Sequence, residues 1–498
     1  ILIHGGISMR ELSGLLIIFL YLILLALVVK ISGYKTDQRV VSSFVFADRD
    51  IPSFLLAPSI FTSWVWPTTI IGSAEAGILY GVSGGLAYAV GAGTGFLLTT
   101  LVLYRFHKLM PDAPFIIEFI HKRFSTRARS VYMLLIVFIA TYLIIEMTAG
   151  IGFVLSGLFG VSFKMITFFS VMLAVFFVII GGIRGMLYND LLNFFIIIIS
   201  FSLLVVIITN RFDMHLLYES LSDIRINESN PNYNPDVFNF FAVGGVRYLI
   251  LATIIGLAQT CIDPSYSLRA HIAHNERIFI KSFLLGGIFL FMPVAILSSI
   301  ILGFTVLTMG ELPEHYINLS TVISSRMFLE QFPLEVSFLF AFMMYAITMT
   351  TIISSLMGIL SIFTVRYYED IINPSATEKE KILFGKSITV MIGFMCALIA
   401  ISLEKISLLT LDNFCGILFA APCSVLLVGL VSKKVYGDIS LYALFAGIFC
   451  GFIYWGFAPA TELNWFYGTL ISFFFPLVFL LVLGIITRKE FNFHSLKW

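Results

Sequence analysis

Residues 61–77, FTSWVWPTTIIGSAEAG, set a helix breaker and several oxygen-bearing side chains inside sequence that is otherwise apolar. Pro67 has no N–H, so the carbonyl four residues back, at Ser63, loses its helical partner. Thr62, Ser63, Thr68 and Thr69 add hydroxyls, and Glu75 adds a carboxylate. Non-helical backbone at membrane depth is tolerated only where protein buries it or where it lines a water-filled cavity. Freed carbonyls beside hydroxyls are hard oxygen ligands, suited to a small alkali cation. A proline kink repacked by its neighbours is the competing reading. A second stretch, TMTTIISS at 348–355, tilts the balance. Thr348, Thr350, Thr351, Ser354 and Ser355 crowd hydroxyls into a run that needs none. Such groups often bond back to their own helix or join two helices. A broken helix and a hydroxyl cluster together match the way ion sites are built near the midplane of secondary transporters.

Ionisable groups inside apolar runs are site candidates by default, because burying them is expensive. Here they are Glu75, Glu146, Asp190, Arg247, Asp263 and Asp412, with Gln259 and Asn413 as uncharged company. Arg247 and Asp190 lie near the ends of their runs, where snorkelling or an interface pair also explains them. Glu146 is equally readable as a buried acid paired with Arg247. Asp263 precedes Pro264 in LAQTCIDPSYSLRA, a helix end carrying a carboxylate, and Asp412 opens LDNFCGILFAAP. His271 and His274, in HIAH, have no carboxylate-rich partner motif and read as a solvated basic loop. The five cysteines form no CxxC or metal-ligand spacing and read as small buried hydrophobes.

The elements that must position these groups are membrane spans. The chain is 59% hydrophobic and 12% charged, with mean hydropathy +1.00, where a soluble domain carries about 25% charged residues. Net charge +1 argues against nucleic acid as a partner. A span needs about 20 mostly apolar residues. Thirteen runs qualify: 13–32, 54–80, 83–104, 131–157, 162–182, 186–209, 241–263, 280–308, 335–365, 384–403, 406–431, 439–457 and 465–487. The first lacks a cleavage site and reads as a retained span; the chain begins at Ile1, so an initiator Met or more is expected to be missing. Alternate connections beginning with 33–53, together with the C-terminal tail, hold 21 Lys and Arg, and the opposite connections hold 6. That bias places the N-terminus outside and the C-terminus in the cytoplasm. Asn227 and Asn318, each in an N-x-S tripeptide, then fall in outer loops. The longest connection, 210–240, ends in RINESNPNYNP and reads as an outer cap. No loop is long enough for a soluble catalytic module, so function must be built between helices.

These stretches resemble the sodium/solute symporter family over nearly the whole chain, from FVFADRDIPSF to the last span. GGIRGMLYNDLLN at 181–193 resembles its Gly-Gly turn followed by an Asp in the sixth span. SIFTVRYYEDIINPSATEKEK at 361–381 resembles its ninth span and cytoplasmic turn, and GILFAAPCSVLLVGLVSKK at 416–434 its eleventh span. SWVWPTTIIGSAEAGILYGVSGGLAYAVGAG and DPSYSLRAHIA look most like the urea active-transporter branch. The resemblance implies an all-α polytopic fold with about thirteen spans and a five-plus-five inverted repeat of the leucine-transporter kind, spans 2–6 and 7–11, with discontinuous helices. Residues 1–53 then hold the first span and a cytoplasmic loop. The repeats occupy 54–209 and 241–431, and accessory spans and tail occupy 439–498.

Carried over by motif, the resemblance implies a Na⁺ site of the Thr62, Val65 and Ile347 carbonyls and the Thr350 and Thr351 side chains, with Asp190 close to the ion. For the substrate it implies Thr69, Tyr88, Asp263 and Asp412. Trp64 stands where many members have an amide or an acid; it and Trp66 are placed to stack on a planar or cationic group, or to pack as plain aromatics. Two carboxylates on one cavity point to a ligand that carries N–H donors or positive charge: urea, an amide or an amine. The resulting expectation is a Na⁺-coupled symporter of a small nitrogenous solute in the plasma membrane and not an enzyme, with a small molecule and the lipid bilayer as partners. Proton coupling through Glu75, Asp190, Asp263 or Asp412, symport of another solute (an amino acid, a sugar or a vitamin), a transporter-like sensor, a membrane enzyme and a passive channel are the alternatives.

Overall fold

The structure, a computed structural model, describes residues 8–33, 36–312, 323, 325–404, 408–458 and 464–496, apart from the side chains of 325, 326, 369–371, 408–410, 412 and 413. Lys35, Asn318, Lys405, Lys497 and the side chains of Arg326, Asp412 and Asn413 therefore lie outside the described residues. The described residues are helical, and eleven helices are long and apolar enough to cross a membrane. The order begins α1 (Met9–Gly33), short α2 (Val41–Phe46), α3 (Ser53–Trp64), α4 (Pro67–Leu109), short α5 (Ile116–Arg123), α6 (Thr126–Phe159), α7 (Phe163–Arg211) and α8 (Met214–Ile226). It continues with α9 (Val243–Ile262), α10 (Pro264–Ile272), α11 (Glu276–Leu307), α12 (Leu334–Tyr368), α13 (Glu378–Ile401), α14 (Leu408–Val431), α15 (Ile439–Phe457) and α16 (Asn464–Ile486).

Eleven helices carry thirteen runs because α4 and α7, of 43 and 49 residues, each double back. Straight helices of that length would reach about 65–75 Å at 1.5 Å per residue, against a hydrocarbon core of about 30 Å. The reversals fall at Gly81 (φ +65°) and Gly182 (φ +56°). At both, a Cβ would meet atoms of another segment, the Val237 carbonyl at 2.4 Å and Phe44 at 2.8 Å. Glycine is the residue that takes this backbone without strain. The return of α4 brings Tyr88 within 3.7 Å of a Cβ built at Gly72, sixteen residues earlier.

Two helices are broken instead of bent. Val65 and Trp66, both extended, separate α3 from α4, and extended Asp263 separates α9 from α10. The seventh run was expected to end at Asp263. It resumes at Pro264, a favoured first helical residue, as a fully buried nine-residue half-helix. Arg269, counted with the loop cations, and His271, read as solvated, therefore lie inside the protein, 0% and 5% exposed. The short halves α3 and α10 end at the same face, where Ile51 and Ala273 pair as a parallel β-bridge.

At that basic end, Arg123 is buried and donates to the carbonyls of Gly429, Ser432 and Lys434 at 2.7–2.8 Å, with the Phe491 ring 4.4 Å away. Burial brings its pKa down to about 10. Glu118 accepts from Arg366 at 2.5 Å. Burial raises that carboxyl above its usual range, and the Arg366 charge opposes the rise. At the other end, the segment after α8 reads as the cap the sequence suggested. Asn232 donates to Leu307 and Gly310 carbonyls at 2.9 and 2.8 Å, and the Val237 carbonyl receives Val82 N–H at 2.9 Å.

Candidate functional site

The break between α3 and α4 redistributes backbone bonds. Trp66 N–H turns to Thr69 Oγ1 at 3.0 Å, and Thr69 N–H bonds the Trp66 carbonyl at 2.9 Å. The carbonyls of Thr62 and Val65 thus lose the donors that a continuous helix would supply four residues on. The Ser63 carbonyl, the one Pro67 was expected to free, is taken by the Trp66 indole N–H at 2.7 Å and the Tyr266 hydroxyl at 2.9 Å. The carbonyls of Thr62 and Val65 are among the oxygens the break releases.

On α12, Ile347, Thr350 and Thr351 are all buried. Thr350 Oγ1 donates to the Ala346 carbonyl at 3.0 Å and accepts from Asn193 Nδ2 at 2.6 Å, which ties α12 to α7. Thr351 Oγ1 reaches the Ile347 carbonyl only at 3.4 Å. One turn before Asn193, Asp190 is wholly buried against Arg269: Oδ2 accepts from its Nη2 at 3.0 Å and from Ser59 Oγ at 2.5 Å. Arg269 also donates to Ser59 Oγ at 2.8 Å, Ser354 Oγ at 2.7 Å and the Ser265 carbonyl at 3.3 Å. One cation therefore binds α3, α7, α10 and α12 together. Asp190 Oδ1 is buried with no hydrogen-bond donor. An ionised oxygen left without a donor in a buried site is costly and fits a nearby cation. The donor set as a whole is hard oxygen.

Above the break lies a cavity of about 30 Å³, lined by Trp64, Trp66, Thr68, Thr69, Tyr88, Tyr248 and Gln259, with Ala92, Leu251, Ala252, Ile255, Gly256 and Phe291. With about 10–15 Å³ needed for one water, it has room for two or three water-sized groups. Trp64 packs its ring centre 5.5 Å from Trp66, 5.2 Å from Phe96 and 5.5 Å from Phe291. Its indole Nε1 is buried and has no hydrogen-bond partner. Gln259 Nε2 donates to Cys415 Sγ at 2.8 Å, linking α9 to α14.

Of the substrate residues expected from sequence, Trp64, Trp66, Thr69 and Tyr88 line this one cavity. Asp263 does not; its Oδ1 accepts Ser265 N–H at 2.7 Å and caps α10. The Asp412 side chain lies outside the described residues. The described lining carries no charged side chain, so the two-carboxylate picture has no counterpart there. Tyr248, Phe291, Tyr266, Asn193 and Arg269 were not singled out. Reading DPSYSLRA as a new helix opening at Pro264 would have found Arg269; the others carry no local signal.

The sequence profile of the sodium:solute symporter family matches residues 44–447. The chain is 22% identical to a "Probable urea active transporter 1" of Schizosaccharomyces pombe, over 93% of this chain and 74% of that protein. It is 22% identical to a urea–proton symporter of Oryza sativa subsp. japonica over 73% of this chain and 53% of that protein. It is 21% identical to a urea active transporter of Saccharomyces cerevisiae over 85% and 58%. The chain thus spans three quarters of the first relative's length and little more than half of the other two. Among solved structures, a Na⁺-coupled sialic acid symporter superposes with TM-score 0.74 at 16% identity, covering 96% of this chain and 98% of that one. The nucleobase-cation symporter Mhp1 follows the same fold with TM-score 0.57 at 12% identity, covering 91% and 97%. The fold is that of the inverted-repeat transporters, and the chain belongs to the sodium:solute symporter family.

Proposed function

We propose that the chain is a cation-coupled symporter that carries a small, neutral, planar amide of urea's kind into the cell by alternating access. The observation that carries this reading is the Trp64 cavity. It is small, and its described lining is aromatic and uncharged. Tyr88, Tyr248, Gln259 and Thr69 line it and carry oxygens that suit the N–H groups of an amide. An ammonium or guanidinium would enter without a counter-charge among those residues, which is strongly disfavoured at low dielectric. The names of the fungal and plant relatives support the same solute class.

The coupling ion is Na⁺, held by the carbonyls of Thr62, Val65 and Ile347 and the hydroxyls of Thr350 and Thr351, with Asp190 Oδ1 behind them. Ion and solute sites meet at one break, so each must raise the other's affinity by the same factor. A proton on Asp190 is the second reading, favoured by the plant relative's name and by the lone buried oxygen. Residues 54–209 and 241–431 are the two repeats. The Lys and Arg bias supports an outside N-terminus and a cytoplasmic C-terminus in the plasma membrane. Competition against labelled urea uptake tests the solute class. Acetamide and methylurea should compete and guanidinium should not; the reverse order would discard the neutral-amide reading.

A further inference from the structure

One stripe of α1 is buried. Gly14, Ile17, Tyr21, Leu25, Val28 and Ser32 recur every three or four residues, as one face of a helix does, while Phe19 and Leu27 between them face outward. Tyr21 places a hydroxyl in the middle of that stripe.

That hydroxyl meets two amides of α7, Asn189 and Asn193, which lie one turn apart on the same helix face. Asn193 Nδ2 donates to the Tyr21 oxygen at 2.8 Å, and the Tyr21 hydroxyl donates to Asn189 Oδ1 at 3.2 Å. Asn193 Nδ2 also donates to Thr350 Oγ1 at 2.6 Å. Tyr21, Asn189, Asn193 and Thr350 are all 0% exposed. The Tyr21 ring stands edge-on to that of Tyr345 on α12, with 5.2 Å between centres.

Chemistry fixes the direction of these bonds. A threonine hydroxyl has one proton, and Thr350 gives it to the Ala346 carbonyl at 3.0 Å. Asn193 must therefore present an N–H to that oxygen, and its second N–H finds its acceptor in Tyr21. Without Tyr21 that buried N–H is left unsatisfied, which is costly, and the amide turns to find another partner. With it, Thr350 Oγ1 is held by two bonds and keeps one lone pair in a fixed direction. Thr351 Oγ1, whose contact with the Ile347 carbonyl is 3.4 Å long, is held more loosely.

We infer that Tyr21 is a positioning residue for the coupling cation: acting through Asn193, it holds the Thr350 oxygen in the orientation that ligates the ion. The first span, which supplies none of the proposed ligands, thereby sets the affinity of the ion site. The inference rests on the ion-site reading and is independent of the solute.

Equilibrium binding of radiolabelled Na⁺ to the purified full chain, with no solute present, tests it. Tyr21→Phe keeps the ring against Tyr345 and deletes the hydroxyl. The Na⁺ dissociation constant should rise about fivefold, the factor that one net hydrogen bond carries. Asn193→Ala should raise it at least as far, and adding Tyr21→Phe to it should raise it no further. Val28→Ala thins the same stripe without touching these bonds, so it should lower the melting temperature and leave the Na⁺ constant in place. A constant unmoved by Tyr21→Phe, moved equally by Val28→Ala, or raised additively in the double variant overturns the positioning role. If Thr351→Ala weakens Na⁺ binding and Tyr21→Phe does not, the positioning role alone falls. A wild-type chain that binds no Na⁺ removes the ion site and the positioning role together.

Discussion

Removing one member of the Asp190–Arg269 pair leaves the other as an uncompensated charge in a site with no exposed surface. Breaking a buried pair in this way costs about 3–5 kcal/mol, whereas removing both charges costs far less. Asp190→Asn and Arg269→Gln should therefore each lower the melting temperature sharply, and the double variant should melt above either single. Additive losses in a double-mutant cycle would mean that the two groups do not depend on each other. At Trp64, replacement by Phe keeps an aromatic face toward Phe96 and Phe291 and deletes the indole N–H. With a net hydrogen bond worth about 1 kcal/mol, more when the partner is left buried, the urea KM should rise about tenfold with kcat little changed. An unaltered KM would leave Trp64 as packing. Asp263 shows what one residue discloses: a carboxylate before a proline was legible as a helix end, but its cap on the Ser265 N–H, and its place outside the described cavity lining, depend on the half-helix that follows.

The reversals and breaks of the helices were legible to different degrees. GGIRG and the Gly-rich stretch after Tyr80 sat between runs of spanning length, so counting apolar residues found both turns. Alanine at Gly81 or Gly182 should sharply reduce the yield of monodisperse protein, because a Cβ there meets Val237 backbone at 2.4 Å or Phe44 at 2.8 Å. Normal yield from both variants would contradict the tight reversals. Pro67 announced the first break; nothing local announced that the Ser63 carbonyl would be claimed by Trp66 and Tyr266, because Tyr266 arrives from two hundred residues away. Pro67→Ala supplies an N–H that competes for that carbonyl and draws the break toward helix. The Na⁺ concentration for half-maximal uptake should rise several-fold, and an unchanged value would detach the ion site from the break.

For the whole molecule, hydropathy and charge bias were enough for the fold class, because a bilayer admits few spanning structures and helices are the one this sequence can form. The pairing of distant segments was not legible, since the same apolar faces serve lipid and neighbouring helices alike. The proposed orientation rests on the Lys and Arg count and is open to direct test. A membrane-impermeant thiol reagent applied outside should label Glu228→Cys and spare Glu490→Cys, and the opposite pattern would invert the molecule. The most direct test of the central claim is uptake of labelled urea by proteoliposomes under an imposed inward Na⁺ gradient, then under a pH gradient, for the wild type and Thr351→Ala. Accumulation above equilibrium driven by Na⁺ and lost in the variant is the predicted result. Urea that merely equilibrates, or fails to enter, under both gradients would contradict coupled transport of this solute.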